Sequence, residues 1–201
     1  MKTYKKALLF VITALCSLGV QAQQVDQALN EARGHYQRGN LEEVRFALQQ
    51  AMNELDQAIG QEILAMLPQR MGTLSVLEQD EVIGSAAILM VGLHVSRSWG
   101  GNDNQQIDLQ LIADSPLLTG INAILALPMI GSDPNQKRVR ISGYRGLLQR
   151  EQGSDGNVRW DLQVPIGSSL LSMNFNGITE ERTVVEMANT LPLERIARML
   201  Q

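Results

Sequence analysis

Three side chains of one predicted strand pair have the types that nucleophilic catalysis uses. His94 and Ser96 lie on one face of a strand, and Asp108 lies on the strand expected to pair with it. A Ser-His-Asp triad requires the hydroxyl to bond the imidazole and a carboxylate to orient the imidazole. The sequence around them shows neither the strained turn that exposes a nucleophilic serine nor an evident oxyanion site. We therefore interpret the three residues as part of a polar sheet face, and no catalytic residue is predicted.

Metal and cofactor chemistry find little support in the sequence. His35 and His94 are the only histidines, Cys16 is the only cysteine, and none has a partner at metal-ligand spacing. The acidic residues between positions 78 and 81 lack the ligand spacing of a calcium loop, which favours a solvated acidic loop. No glycine-rich run opens a helix in the way a phosphate-binding loop does. The prediction is no metal and no cofactor.

A basic cluster over residues 137–140 alternates with apolar residues. Arg138 and Arg140 are expected to point outward together, with Lys137 as a third candidate and Arg145 nearby. Charges that keep an edge strand soluble are the favoured explanation. The alternative is a clamp for an anion or a carboxylate, since guanidinium groups form paired hydrogen bonds to such groups.

The segment from Ser115 to Ile130 carries more apolar side chains than one face of a short helix needs. Packing against the sheet is the favoured explanation, and an apolar pocket or a partner surface is the alternative. The candidate ligand-binding residues are therefore Leu117, Leu118, Ile121, Leu125 and Met129, together with Arg138 and Arg140.

The pattern of apolar residues from Lys137 to Gly177 predicts that this stretch forms the central strands of the fold. Apolar residues occupy every second position from Val158 to Ile166, and the same alternation continues at Leu171, Met173 and Phe175. Such alternation is typical of antiparallel strands with one buried and one solvated face. A further hairpin is expected upstream, over residues 86–111.

Two helices are predicted at the N-terminal end. Residues 25–37 form the first, Gly39 breaks it, and helical spacing of apolar residues continues from Leu41 to Pro68. Over about residues 32–58 the pair resembles one tetratricopeptide-like helix hairpin, through the pattern Ala32-x-x-x-Tyr36-x-x-Gly39-x-Leu41. Because such repeats bury their faces against neighbours, a single unit is expected to pack on the C-terminal domain.

Two short helices are predicted after the sheet. Thr183 and Glu186 have the spacing of a capping box, and Pro192 suits the first turn of a last helix. The resulting order of strands and helices in residues 86–201 is topologically similar to secreted carriers of the PsbP and lipoprotein-carrier kind. No residue motif accompanies this similarity, so it implies no functional residues.

Composition and the N-terminus bear on compartment and partners. Residues 1–22 have a lysine-rich start, a short apolar run and small residues at Val20-Gln21-Ala22, which predicts a cleaved signal peptide and no membrane span. Without the three lysines of that segment, the formal net charge of −4 becomes −7. An acidic protein is a poor candidate for nucleic-acid binding. We predict a periplasmic or extracellular location.

The sequence thus predicts an α+β protein with an N-terminal helical hairpin, followed by an antiparallel sheet of about five strands with helices on one face. The expected domains are a signal peptide (1–22), the hairpin (23–68), a linker (69–85) and the sheet domain (86–201). The favoured function is a non-catalytic, exported binding or protein-interaction module for an unknown protein or an apolar small molecule. A periplasmic carrier of an apolar or lipid-like ligand is the first alternative, and a hydrolase is the second.

Overall fold

The computed structural model describes residues 23–85, 92–101, 104–126, 135–152 and 157–200. The expected signal peptide therefore lies outside the described residues. Those residues form an α+β fold with five helices and a nine-stranded antiparallel sheet. The chain divides into two compact units between Ile59 and Gly60. No helix in these ranges combines the length and the apolar character that crossing a membrane requires.

The predicted helical hairpin is confirmed, and the N-terminal unit contains all of it except the end of its second helix. Helix α1 spans residues 23–37, and helix α2 spans Leu41–Met66. Gly39 makes the turn at φ 79°, a left-handed conformation that favours glycine, and its amide donates to the Tyr36 carbonyl. Alanines at equal distances from this turn are buried on both helices, namely Ala28 with Ala51 and Ala32 with Ala47. Small side chains let two helices approach closely, so we call these four residues the alanine seam.

The second unit contains the sheet. Its strands are β1 (Arg70–Met71), β2 (Leu74–Val76), β3 (Val82–Ser85), β4 (Leu93–Gly100), β5 (Gln106–Ile112), β6 (Gln136–Ile141), β7 (Tyr144–Gln152), β8 (Val158–Ile166) and β9 (Ser169–Asn176). The order is β1-β2-β4-β5-β9-β8-β7-β6, and β3 pairs with β4 beside β2. A short 3-10 helix, Glu78–Asp80, separates β2 from β3. The last strand thus inserts between β5 and β8.

The expectation of about five strands was wrong. Residues 69–85, interpreted from the sequence as a linker, contain β1, β2 and β3. These strands have two to four residues each, too short for an alternation pattern to show. Strands β2 and β3 form along one edge of β4, where Val76 lies opposite Trp99 and Ile83 lies opposite Val95, and β1 pairs with β2.

One face of the central strands forms the main core. The alternation predicted for Val158 to Ile166 is present, since every second residue of β8 is buried. Two tryptophans close this core with hydrogen bonds to backbone carbonyls. Trp99 Nε1 donates to the Pro68 carbonyl at 2.8 Å, and Trp160 Nε1 donates to the Ile178 carbonyl at 3.0 Å. We call this buried face of the sheet the Trp160 face, after the indole that lies on it.

Helix α3 (Leu118–Ala126) lies on the opposite face of the sheet. Its buried residues Ile121 and Leu125 pack with Leu147 and Leu170. Both of these leucines point away from the Trp160 face, because they are adjacent in sequence to residues that lie on it. The prediction that the helices pack on one face is therefore wrong.

Helices α4 (Glu181–Ala188) and α5 (Leu193–Met199) follow the last strand. Glu181 forms an ion pair with Lys137, which lies opposite Leu148 on the Trp160 face, so α4 covers that face. The capping box predicted at Thr183 is absent. The cap lies three residues earlier, at Glu180, and makes no side-chain hydrogen bond, so that helix α4 begins at Glu181.

Candidate functional site: an arginine-lined cleft beside helix α3

Strands β6 and β7 form a hairpin at one edge of the sheet. The two residues of its turn, Ser142 and Gly143, have φ values of 46° and 89°. Two positive φ values are the signature of a type I′ turn, whose twist matches that of the flanking strands. This turn fixes the register of the hairpin, so that Arg140 lies directly opposite Arg145.

Arg138 and Arg140 share a face of β6, because they are two residues apart, and Arg145 joins them from β7. Directly opposite side chains of an antiparallel pair lie close together, and like charges in that position destabilise the sheet. We therefore expect the Arg140–Arg145 pair at this sheet edge to lower the stability of the protein.

The three arginines line an open cleft of about 410 Å³, which also contacts Leu125 and Val139. We call it the arginine cleft. Its described lining contains no carboxylate. Arg138 Nη2 donates to the Ile124 carbonyl of α3 at 3.2 Å, and Arg140 Nη1 donates to the Gly143 carbonyl at 3.3 Å. Within the described part of the chain, neither Arg140 nor Arg145 takes part in an ion pair.

A second open cleft of about 260 Å³ adjoins the first. We call it the side cleft, and its lining residues are Asn122, Leu125, Ala126, Arg145 and Pro165. Leu125 and Arg145 line both clefts, so the two spaces border the same two side chains. The charged group of the side cleft is Arg145, and the rest of its described lining is uncharged.

The structure brings together three of the candidate residues predicted from the sequence. Leu125, Arg138 and Arg140 line the arginine cleft. Ile121 is buried in the cluster beneath α3 and Leu118 packs against it, as sheet packing requires. Leu117 precedes the helix and is 60% exposed. Met129 lies outside the described residues.

Sequence reasoning placed Arg145 near the basic cluster but did not include it in the site, and it missed Asn122 and Pro165. The turn at Ser142 and Gly143 was the signal that could have placed Arg145 opposite Arg140, since turn length fixes hairpin register. No comparable local signal places Pro165 beside α3, because that contact depends on how the sheet folds.

The serine, histidine and aspartate singled out from the sequence do not form a triad. Asp108 accepts hydrogen bonds from Ser98 Oγ at 2.6 Å and from Gln106 Nε2 at 2.8 Å. Ser96 lies opposite Gln110 on the neighbouring strand rather than opposite Asp108. Across the described ranges, no three histidine, cysteine, aspartate or glutamate side chains converge so as to hold a metal ion.

The polar face of the central strands contains one perturbed carboxyl group. Burial raises the pKa of Asp161, nearby Glu151 raises it further, and a hydrogen bond from Gln163 opposes both effects. Asp161 Oδ2 accepts that bond from Gln163 Nε2 at 3.4 Å, whereas Oδ1 is buried and has no partner within the described residues. A desolvated carboxyl group favours its neutral form.

The hairpin unit carries a separate apolar surface. Leu29 and Tyr36 form an exposed apolar stripe on α1, and α2 carries a second one. Viewed along each helix from its N-terminus, both stripes are rotated in the same direction away from the alanine seam. Two antiparallel helices with this displacement present both stripes on one side. We call this side the hairpin surface; its residues are between 44% and 68% exposed, namely Leu29, Tyr36, Leu41, Leu48, Met52 and Leu55.

No family model, no curated protein and no solved structure matches this chain. The tetratricopeptide-like and PsbP-like resemblances therefore stay predictions. The function has to be argued from the residues themselves.

Proposed function

We propose that this protein is a non-catalytic binding module that holds an anionic ligand in the arginine cleft. The observation that carries the proposal is the position of Arg140 directly opposite Arg145, at the wall of an open cleft without a carboxylate in its described lining. Guanidinium groups make short, paired hydrogen bonds to carboxylate and phosphate oxygens. An anion between the two arginines would turn a repulsive pair into a favourable arrangement of three charges.

Solubility of an edge strand is the competing explanation for these charges. Charges of either sign discourage pairing between edges, and a mixture of signs would avoid the repulsion. The cross-strand arrangement of two arginines adds nothing to that protection. The protein as a whole is acidic, with a formal net charge of −4, so a local positive cluster does not follow from its overall composition.

Arg138 has a different task in this proposal. Its hydrogen bond to the Ile124 carbonyl ties β6 to the last turn of α3, where the partial negative charge of the helix end favours a cation. Arg138 therefore holds helix α3 in place, and with it the wall of the cleft to which Leu125 belongs. Arg140 and Arg145 are the residues that we expect to contact the ligand.

Titration of the purified protein with hexyl phosphate tests the proposal, followed by the NMR signals of the arginine Nε–H groups. We expect the Arg140 and Arg145 signals to shift, and each Arg→Ala change at these positions to weaken binding by about tenfold or more. Arg198→Ala is the matched control, because Arg198 is an exposed arginine of α5. Binding that is unaffected by both cleft substitutions would refute the proposal.

A conservative change at Arg145 tests the charge repulsion and the binding in one variant, and the loss of binding separates the two explanations. Arg145→Gln removes one of two like charges, so we expect the free energy of unfolding to rise by about 0.2–1 kcal/mol while binding is lost. A residue kept only for solubility would show no loss of binding.

Export is part of the same proposal, and N-terminal sequencing of the protein from the extracytoplasmic fraction tests the expected cleavage after Ala22.

A protein-interaction module is a second candidate function, favoured by the hairpin surface. Contiguous apolar surface of this kind commonly marks an interaction site. Sedimentation of the protein at increasing concentration, alone and as a Leu48→Lys, Met52→Lys variant, tests self-association through it. A concentration-dependent mass that the variant loses would support this candidate, whereas the same monomer mass for both proteins would count against self-association.

A further inference from the structure

The arginine cleft and the side cleft together have two chemically different ends. At one end Arg140 and Arg145 face each other. At the other end the described lining consists of Asn122, Ala126 and Pro165, which are uncharged. Leu125 and Arg145 border both spaces, so a molecule that extends past these two side chains would occupy both. Such a molecule would need an anionic group and an uncharged extension.

The outward side of α3 supports an apolar extension. The helix has the sequence Leu-Thr-Gly-Ile-Asn-Ala-Ile-Leu-Ala and contains no charged residue. A helix on a protein surface ordinarily turns charged or strongly polar side chains to water. The exposed residues of α3 are Gly120, Ala123 and Ala126 together with the uncharged polar residues Thr119 and Asn122. Covering this side of the helix with hydrocarbon would therefore bury no charged group.

On the basis of the proposed function, we infer that the ligand is a single-chain anionic amphiphile. Its head group, a carboxylate or a phosphate, lies between Arg140 and Arg145, and its hydrocarbon chain enters the side cleft along Leu125 toward Pro165. A polyanion such as a nucleoside polyphosphate fits less well, because the side cleft offers Arg145 and the Asn122 amide as its only described polar side chains. The chain packs outside the buried cluster of Ile121, Leu125, Leu147 and Leu170, and touches only the part of Leu125 that remains exposed.

A homologous series of ligands tests this inference. Binding of n-alkyl phosphates and n-alkyl carboxylates of increasing length is measured by isothermal titration calorimetry, below the concentration at which each forms micelles. We expect affinity to rise with each added methylene, by up to roughly fourfold where the methylene is fully buried, until the side cleft is filled. Comparison of the two series at equal length identifies the preferred head group.

Two substitutions on α3 provide a matched pair. Ala126 lines the side cleft, whereas Ala123 is exposed on the same helix outside the described lining of both clefts. We expect Ala126→Gln to flatten the dependence of affinity on chain length, and Ala123→Gln to leave it unchanged. Equal dependence in both variants would overturn the path proposed for the chain.

The outcomes separate this inference from the proposed function. If affinity depends on Arg140 and Arg145 but not on chain length, the anion site stands and the amphiphile is refuted. If neither the members of the series nor phosphatidylglycerol vesicles bind, both are refuted. If soluble amphiphiles fail to bind but phosphatidylglycerol vesicles bind with the same arginine dependence, the ligand is a lipid surface and the inference of a single bound molecule is overturned.

Discussion

Arg97 and Glu81 form an ion pair at the edge of the core, with 2.7 Å between Arg97 Nη2 and Glu81 Oε1. The Arg97 side chain is only 4% exposed, and its Nη1 also donates to the Leu67 carbonyl at 3.0 Å. One guanidinium group thus joins strand β4 to the end of α2 and to the residue before β3. Loss of the carboxylate would leave this buried cation without its counter-charge.

We expect Glu81→Ala to lower the free energy of unfolding by about 2 kcal/mol, measured by urea denaturation. This value lies between those for exposed and buried pairs, because Glu81 retains 25% exposure. Lys137→Ala is the control, since Lys137 forms its ion pair with Glu181 at an exposed position and should cost below about 1 kcal/mol. Similar losses in the two variants would contradict the structural role given to Arg97.

Asp161→Asn should change how stability depends on pH. The folded-state pKa of Asp161 is raised, so the folded protein holds this proton to higher pH than the unfolded chain does. The contribution of Asp161 therefore becomes less favourable as pH rises from about 4 through the folded-state pKa. We expect the variant to be more stable than the wild type at pH 7, and the difference to disappear near pH 4.

Urea unfolding at a series of pH values measures this difference. Because Glu151 contributes to the raised pKa, Glu151→Gln should reproduce part of the effect of Asp161→Asn. A stability difference between Asp161→Asn and the wild type that stays constant with pH would show that the substitution acts through packing and not through the proton.

The alanine seam should tolerate no larger side chain. Ala51 is 5% exposed, so we expect Ala51→Leu to destabilise the hairpin by about 1–3 kcal/mol through overpacking. Ala65→Leu makes the same change at an exposed position of the same helix, and its effect should stay within about 0.5 kcal/mol. Urea unfolding followed by far-ultraviolet circular dichroism measures both. Equal effects would mean that the seam is loosely packed.

The turn at Gly143 should control both stability and binding. A methyl group added there would meet no atom within 4 Å, but the φ of 89° is unfavourable for any other residue. We expect Gly143→Ala to cost about 1–2 kcal/mol and to weaken hexyl phosphate binding, because the register of Arg140 with Arg145 depends on this turn. Thermal unfolding and the titration described above measure the two effects.

Gly84→Ala is the matched control for that prediction. Gly84 also has open space around it, but it lies in β3 and has no positive φ. Its substitution should therefore not destabilise the protein, and it should leave binding unchanged. Loss of binding in both glycine variants would indicate a general disturbance of the sheet.

Patterns within one element were sufficient to predict much of this fold. The alternation from Val158 to Ile166 identified β8 and its buried face, and Gly39 identified the turn of the helical hairpin. Each of these signals depends on residues that are close in sequence. They established the fold class and the order of the larger elements.

Features that depend on distant neighbours were missed. The adjacent leucines Leu147 and Leu148, like Leu170 and Leu171, are buried on opposite faces of the sheet. Such consecutive apolar pairs indicate a strand covered on both sides, which the alternation at every second position does not reveal. The position of α3 follows from them. The side cleft could not be predicted, because its residues come from three elements that only the folded sheet brings together.

The insertion of β9 between β5 and β8 has a consequence for biosynthesis. Ile107 finds its partner Phe175 only after the intervening helix and three strands have been made. Until then, the β4–β5 hairpin has a free apolar edge, which can pair with another chain. Pairing over such a distance in sequence is slow, because a long loop must close before the contact forms. A nascent chain of this protein must therefore be kept from aggregation until its last strand emerges, and chaperone dependence should be greatest for chains that stop before residue 169.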